Sequence, residues 1–182
     1  MEQKDYLFEI INNLLQNKNH IRGLAKNIEV NHMTILRKIK ELEKANVVDY
    51  SEEGKNKVYF LKKTIESRLY IFKAENYKLI KFLNKHTSLR KIIDKIQNDK
   101  RIKLAIIFGS YAKDLQKKNS DIDIYIETQS RTIKNDIQII DSRLSVKIGR
   151  YDKSNLLIKE IAKDHIIIKG IERYYEKNNF FE

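Results

Sequence analysis

The sequence has no cysteine, only four histidines, no linker rich in glycine and serine, and no long apolar run. Without cysteine there is no disulfide scaffold, no thiolate zinc site and no cysteine nucleophile, and four histidines argue against a histidine-built metal site. No apolar stretch approaches the roughly 20 residues that span a bilayer, and the polar N-terminus lacks the apolar core of a signal peptide. These absences predict a cytoplasmic protein that is not inserted in a membrane.

The charge of the chain is strongly one-sided. Lysine and arginine number 37 against 25 aspartate and glutamate, so the net charge of the 182 residues is +12. More than half of this excess lies in residues 64–103, which hold 11 basic and 4 acidic side chains. Such a balance favours a polyanionic partner, nucleic acid first, although basic side chains on a helix also form ordinary solvated faces. An apolar content of 41% is high enough for a packed core.

The first third of the chain has the pattern of three helices followed by a hairpin. Apolar residues recur at helical spacing in three segments, about 7–15, 21–28 and 32–44. Asn31 is placed to cap the third helix, and Asn46 lies where a helix often ends in a left-handed residue. Two short strands, 47–50 and 58–61, then flank a polar turn over 51–57.

This order resembles the winged helix-turn-helix regulators of archaea and bacteria. The resemblance implies a DNA-binding domain over residues 1–63, whose third helix enters the major groove while the wing touches backbone or minor groove. It places candidate DNA contacts on the third helix and on the wing, at Asn31, Thr34, Arg37, Lys38, Lys55 and Lys57. A winged helix used only for dimerisation or protein docking remains open, because Glu52 and Glu53 on the wing would repel phosphate.

A basic helical connector is predicted over residues 64–87. Thr64 is placed to cap its start, and apolar residues follow at helical spacing, namely Ile65, Leu69, Phe72, Leu79, Ile80 and Leu83. The polar residues 85–88 interrupt this pattern, and a further helix is expected over 89–98. The third predicted domain covers residues 88–182.

The most specific pattern joins two apolar β segments. The first ends at Gly109-Ser110, and the second begins at Asp121 and Asp123. Residues i and i+2 of a strand face the same side, so the two aspartates should project together. Carboxylate oxygens are ligands that Mg²⁺ prefers and shares with phosphates. Gly109 allows close approach of the backbone, and Ser110 opens a short helix whose N–H groups can hold an anion. The pattern therefore predicts a site for a magnesium–nucleoside triphosphate.

Gly-Ser, ten residues and Asp-x-Asp together resemble the motif of the DNA polymerase beta superfamily, most of all its minimal nucleotidyltransferases, over residues 88–175. The resemblance implies an α+β fold with a mixed sheet. It also implies Mg²⁺-dependent transfer of a nucleoside monophosphate from a triphosphate such as ATP to a hydroxyl of a protein, an RNA or a small molecule. Gly109 and Ser110 would hold the triphosphate, while Asp121 and Asp123 would hold the metal and carry the catalysis. A P-loop is excluded, since no Gly-Lys-Ser/Thr follows Gly109 at the required spacing.

One position departs from that family. A third carboxylate is usual on a later strand, but the strand predicted over 144–148 has Lys147 at the position matched to it, and only Asp136 or Asp141 could reach in from elsewhere. Two alternatives follow, both with a nucleotide site that is weakly active or inactive: a DNA-binding transcriptional regulator, and an antitoxin-type role implied by the resemblance. A homodimer is an expectation by analogy with winged-helix regulators.

Overall fold

The computed structural model describes residues 4–182. Its α-helices are α1 Tyr6–Gln16, α2 Ile21–Ile28, α3 His32–Lys44, α4 Ile65–Lys85, α5 Arg90–Asn98, α6 Gly109–Ala112, α7 Arg131–Gln138, α8 Leu156–Lys163 and α9 Ile171–Lys177. Its strands are β1 Val48–Glu53, β2 Asn56–Leu61, β3 Ala105–Phe108, β4 Ile122–Glu127, β5 Leu144–Gly149 and β6 Ile166–Lys169. No helix within residues 4–182 is long and apolar enough to cross a membrane.

The chain forms two compact units, which divide between Tyr77 and Lys78, inside α4. The first unit ends at Tyr77 and also includes Phe181 and Glu182, and the second is Lys78–Phe180. The division into three domains, 1–63, 64–87 and 88–182, stays a prediction.

The first unit has the winged helix-turn-helix order of three helices and a hairpin. Each helix buries an apolar stripe: Ile10, Ile11 and Leu14 in α1, Leu24, Ala25 and Ile28 in α2, and Ile35, Ile39 and Leu42 in α3. Asn31 caps α3 as predicted, since its Oδ1 accepts from the Met33 amide at 2.8 Å. Asn46 has φ +61°, the left-handed conformation expected after this helix.

The hairpin is longer than the sequence indicated. Strands β1 and β2 are antiparallel, and the last pair, Glu53 with Asn56, leaves only Gly54 and Lys55 in the turn. The predicted seven-residue turn over 51–57 is therefore wrong. Both faces of this two-stranded ribbon are open to solvent near its tip, so polar side chains mark an exposed strand there and not a loop.

Helix α4 buries a different face from the one its apolar residues indicated. Thr64 caps it as predicted, accepting from the Ser67 amide at 3.2 Å. Ile65, Leu69 and Ile80 are exposed, and the buried side chains are Ser67, Ile71, Ala74, Glu75, Leu79 and Phe82. Helical periodicity alone did not identify the packed side.

The second unit is built on a four-stranded mixed sheet of order β5-β4-β3-β6. Strand β3 pairs antiparallel with β4 and β6, while β4 pairs parallel with β5. One face of the sheet packs on α5 and α7 through apolar side chains, among them Ile107, Ile122, Ile124, Ile126, Ile92, Ile93, Ile96, Ile133 and Ile137. The opposite face carries Asp123 and Tyr125. The mixed sheet of an α+β domain is confirmed.

Candidate functional site

The end of β3 and the start of β4 meet at Gly109 and Asp123. Phe108, the last residue of β3, pairs with Asp123 of β4, so Gly109 follows directly beside this carboxylate. Gly109 has φ +70°, which disfavours any residue with a Cβ. A Cβ built on Gly109 would lie 2.6 Å from Asp123 Oδ2, closer than real Cβ contacts. The glycine thus serves both the sharp turn and the close approach of the carboxylate.

The alternation along β4 directs Asp123 away from the core. Ile122, Ile124 and Ile126 are buried against the helices, so the half-buried Asp123 lies on the opposite face of the sheet. Asp121 is exposed and immediately precedes the strand, whose start is fixed by the Ile122 amide donating to the Arg143 carbonyl at 2.8 Å.

Ser110 lies in α6, a helix of four residues that begins at Gly109 without a side-chain cap. The structure brings Gly109 and Asp123 into contact, and Ser110 and Asp121 are their neighbours along the chain. The four residues that the sequence singled out are therefore grouped at one end of β3 and β4.

Several acids of the second unit form ion pairs, whereas Asp121 and Asp123 do not form one with any described residue. Asp99 and Asp136 pair with Arg101, Asp141 pairs with Arg143, Asp114 with Lys85, and Glu127 with Arg173 and Lys177. Within residues 4–182, neither Asp121 nor Asp123 forms an ion pair. In a chain of net charge +12, two neighbouring unpaired carboxylates beside a glycine fit a hard divalent cation with oxygen ligands.

The loop between α6 and β4 carries the lysines that could approach a phosphate. Lys113 pairs with Glu160 at 3.3 Å, whereas the side chains of Lys117 and Lys118 are exposed. The loop is held by its own contacts, because the Lys117 amide donates to Ser120 Oγ at 2.8 Å and the Ser120 amide donates to the Lys117 carbonyl at 3.0 Å.

The position matched to a third carboxylate has to be corrected. Strands β4 and β5 are parallel, and their register pairs Asp123 with Ser145, whereas Lys147 pairs with Tyr125. Ser145 is therefore the β5 residue beside Asp123. Lys147 lies two residues further along β5, on the same face of the sheet. Alternation predicted that Ser145 and Lys147 share a face, but it could not determine which of them is level with Asp123.

The two acids considered as substitutes are engaged elsewhere. Asp141 accepts from the Arg143 amide, Nε and Nη2, and these hydrogen bonds lower the pKa of Asp141 to about 2. Asp136 on α7 pairs with Arg101 at 2.9 Å. Both carboxylates are therefore engaged by an arginine.

The candidate DNA-contacting residues are spread over the start of α3 and the wing. Asn31 uses its side-chain oxygen to cap α3, Thr34 is half-buried and Arg37 is exposed. Lys38 is paired with Glu41 at 2.7 Å. On the wing Lys55 is exposed at the turn, whereas the Lys57 ammonium lies 3.8 Å from the centroid of the Tyr50 ring.

The two wing glutamates are partly neutralised. Glu53 forms an ion pair with Lys18, and Glu52 lies opposite Lys57 in the hairpin register. The repulsion of phosphate expected from these acids is therefore reduced.

A pocket at the turn between α2 and α3 was missed by the sequence analysis. It has a volume of about 560 Å³ and is lined by Arg22, Ala25, Lys26, Glu29, Val30, Asn31 and His32. The signal available in the sequence was the i, i+4 pair of Arg22 and Lys26 on the exposed side of α2.

Comparison with known family models finds a match that lies within the second unit. Residues 90–174 match the family described as Polymerase beta, Nucleotidyltransferase, and the motif of Gly109, Ser110, Asp121 and Asp123 lies inside this range. A search of curated proteins finds no match.

Among solved structures, the chain is similar to the solution NMR structure of the homodimeric winged helix-turn-helix DNA-binding domain (fragment 1–100) of a possible ArsR-family transcriptional regulator from Mycobacterium bovis. The two share 15% identity over 46% of this chain and 71% of that chain, with a TM-score of 0.33. A likeness at that TM-score is too weak to support an argument about this chain.

Proposed function

We propose that the polymerase beta nucleotidyltransferase domain carried by residues 90–174 binds a magnesium–nucleoside triphosphate and transfers its nucleoside monophosphate to a hydroxyl acceptor. The observation that carries the proposal is the contact of Gly109 with Asp123, where a Cβ would lie 2.6 Å from the carboxylate oxygen. The winged helix-turn-helix of the first unit is proposed to bind DNA, so that the reaction is coupled to a DNA-bound state of the same chain.

Asp121 and Asp123 are the residues that would hold the cation. Bound Mg²⁺ would offset the charge of the triphosphate and of the oxygens at the reacting phosphorus. Gly109 and Ser110 would lie against the phosphates, and Lys117 and Lys118 would attract the triphosphate to the site. ATP is the proposed donor, in the cytoplasm, where triphosphates and DNA occur together.

The proposed transfer is a single displacement. The acceptor oxygen forms a bond to the α-phosphorus, and the bond from this phosphorus to the oxygen that bridges to the β-phosphate breaks. Pyrophosphate leaves with the electron pair, and the acceptor proton passes to water. The acceptor is proposed to be a hydroxyl of a protein, an RNA or a small molecule.

The test is incubation with Mg²⁺ and triphosphates labelled at the α-phosphate, across protein, RNA and small-molecule acceptors. Labelled product is expected with the natural sequence and is expected to disappear in D121N/D123N. Asp94→Asn is a matched control, because Asp94 is exposed on α5 and accepts only from Asn98 among the contacts described. Product from D121N/D123N at the rate of the control would refute the proposal.

A second candidate function is a DNA-binding regulator whose nucleotide site acts as a sensor. Ser145 favours it, because the β5 position beside Asp123 has no carboxylate. This candidate predicts sequence-preferring DNA binding that falls steeply with salt and changes when nucleotide is added, without turnover. A binding selection from random duplexes that enriches no sequence would remove it.

A further inference from the structure

The register of β4 with β5 determines which side chain could complete a cation site with the two aspartates. Ser145 is level with Asp123, and neighbouring strands lie about 4.8 Å apart. Both residues are half-buried and point away from the apolar core formed by Ile122, Ile124 and Val146. The residue closest to Asp123 on β5 therefore ends in a neutral hydroxyl.

No other acidic side chain takes this place. Within the part of the chain that the structure describes, no three side chains of His, Cys, Asp or Glu lie close enough together to hold a metal ion. Asp141 is engaged by Arg143, and Asp136 by Arg101. The site thus offers two carboxylates and no third.

We propose that this site holds one divalent cation with the bound nucleotide, and not two, because Ser145 stands where a second cation would require a carboxylate. The inference rests on the proposed function, since it concerns the same nucleotide site. The inference specifies how many cations the site binds and how readily the acceptor hydroxyl loses its proton.

The charge balance supports a single cation. Asp121 and Asp123 would hold one cation, and their two carboxylates with the charge of a bound triphosphate would offset it. A second cation would lie on the acceptor side, where it has Ser145 and no further carboxylate to offset its charge. Lys147 is exposed and lies two residues after Ser145 on the same face of β5. Its positive charge would oppose a second cation beside Ser145.

A single cation would leave the acceptor hydroxyl weakly activated. A cation on the acceptor side would lower the pKa of the attacking hydroxyl, and without it the hydroxyl keeps its proton until late in the reaction. Nucleotide binding is then largely retained, whereas transfer is slow. Slow turnover in a site that still binds nucleotide suits a domain that reports nucleotide levels to the winged helix.

The test counts cations and nucleotides on the full chain by equilibrium dialysis. The probes are Mn²⁺ and an ATP analogue with a methylene bridge between the α- and β-phosphates, which cannot be transferred. We expect one Mn²⁺ for each bound nucleotide in the natural sequence and two in Ser145→Asp. Ser145→Asn is the control, because asparagine has the shape of aspartate without its charge, and it should stay at one.

The outcomes separate the two proposals. Two Mn²⁺ per nucleotide in the natural sequence, or one in a folded Ser145→Asp, would overturn the single-cation inference and leave the proposed function standing. Bound Mn²⁺ and analogue that do not decrease in D121N/D123N would overturn the proposed function itself. If Ser145→Asp fails to fold, the count on the natural sequence decides alone.

Discussion

The wing of the first unit and the site of the second unit each contain a glycine at positive φ, but the two have different surroundings. Gly54 at the wing tip has φ +62°, and a Cβ there would meet nothing within 4 Å. Gly109 has φ +70°, and its Cβ would lie 2.6 Å from Asp123 Oδ2. The first glycine permits the turn alone, whereas the second also leaves room for the Asp123 carboxylate.

The charged side chains of the two regions also differ in whether they have partners. On the candidate DNA surface, Lys38 pairs with Glu41 and Lys57 contacts the Tyr50 ring. At the candidate nucleotide site, Asp121 and Asp123 have no cationic partner among residues 4–182. Exposed pairs such as those of the first unit contribute little to stability and are easily exchanged for phosphate contacts. Neighbouring carboxylates without a partner repel each other, so they favour a cation.

Removal of divalent cations should have the largest effect, because it should weaken ATP binding and leave DNA binding unchanged. We expect excess EDTA to weaken ATP binding by roughly 100-fold or more, because the carboxylates would then repel the triphosphate. Binding of a DNA duplex by the same chain, at constant ionic strength, should be essentially unchanged. Fluorescence anisotropy with labelled ATP and labelled duplex measures both. ATP binding that survives EDTA would contradict the assignment of Asp121 and Asp123 as the cation site.

Substituting alanine for Gly54 or Gly109 should distinguish the effect of backbone strain on stability from an effect on nucleotide binding. Each of Gly54→Ala and Gly109→Ala should lower the free energy of unfolding by about 1 kcal/mol, owing to the positive φ. Gly109→Ala should in addition weaken Mg·ATP binding by on the order of tenfold, because the new methyl group displaces Asp123. Denaturant unfolding and nucleotide titration give the two quantities. Equal nucleotide affinity in both variants would show that the contact with Asp123 is unimportant.

A smaller difference is expected between two adjacent basic residues of α3 on the candidate DNA surface. Arg37 is exposed, whereas Lys38 is paired with Glu41. If Arg37 contacts a phosphate, Arg37→Ala should reduce the slope of log affinity against log salt by about 0.9. Lys38→Ala should reduce it less. DNA titrations at several salt concentrations measure the slopes, and an unchanged slope in Arg37→Ala would remove that residue from the interface.

A paired acid of the second unit should affect stability and not nucleotide binding. Hydrogen bonds from Arg101 lower the pKa of Asp99 to about 2, so its stabilising effect is complete above about pH 4 and is lost as the pH falls towards 2. Asp99→Asn should therefore cost about 0.5–1 kcal/mol at neutral pH, and the difference from the natural sequence should shrink below pH 4. Denaturant unfolding from pH 7 to pH 2 checks this. A difference that persists unchanged at pH 2 would exclude the ion pair as its cause.

The local elements of the first unit could be predicted because their signals are local. Helices α2 and α3 have the predicted bounds, since their ends coincide with Asn31 as a cap and with the end of an apolar stripe. The turn of the wing could not be predicted from polarity, because an isolated hairpin is polar on its exposed strands as well. The packed face of α4 could not be predicted either, because buried Ser67 and Glu75 break the apolar pattern.

The candidate nucleotide site also has one part that could be predicted from local signals and one part that could not. Gly109 and Asp123 were predicted as neighbours, because the motif joins two strands that pair with each other through a short connection. The role of Ser145 depends on the register of β4 with β5, which are separated by α7 along the chain. A shift of two residues in a parallel register does not change which side chains face the core. Alternation therefore placed Ser145 and Lys147 on one face without deciding between them, and Lys147, the residue matched to the third carboxylate, is not the one level with Asp123.

Calorimetric titration of Mg·ATP into the natural sequence and into D121N/D123N tests the central claim most directly. The account predicts saturable binding of one ATP per chain in the natural sequence, and no heat of binding in a folded double variant. Binding of equal affinity and stoichiometry in both proteins would contradict it.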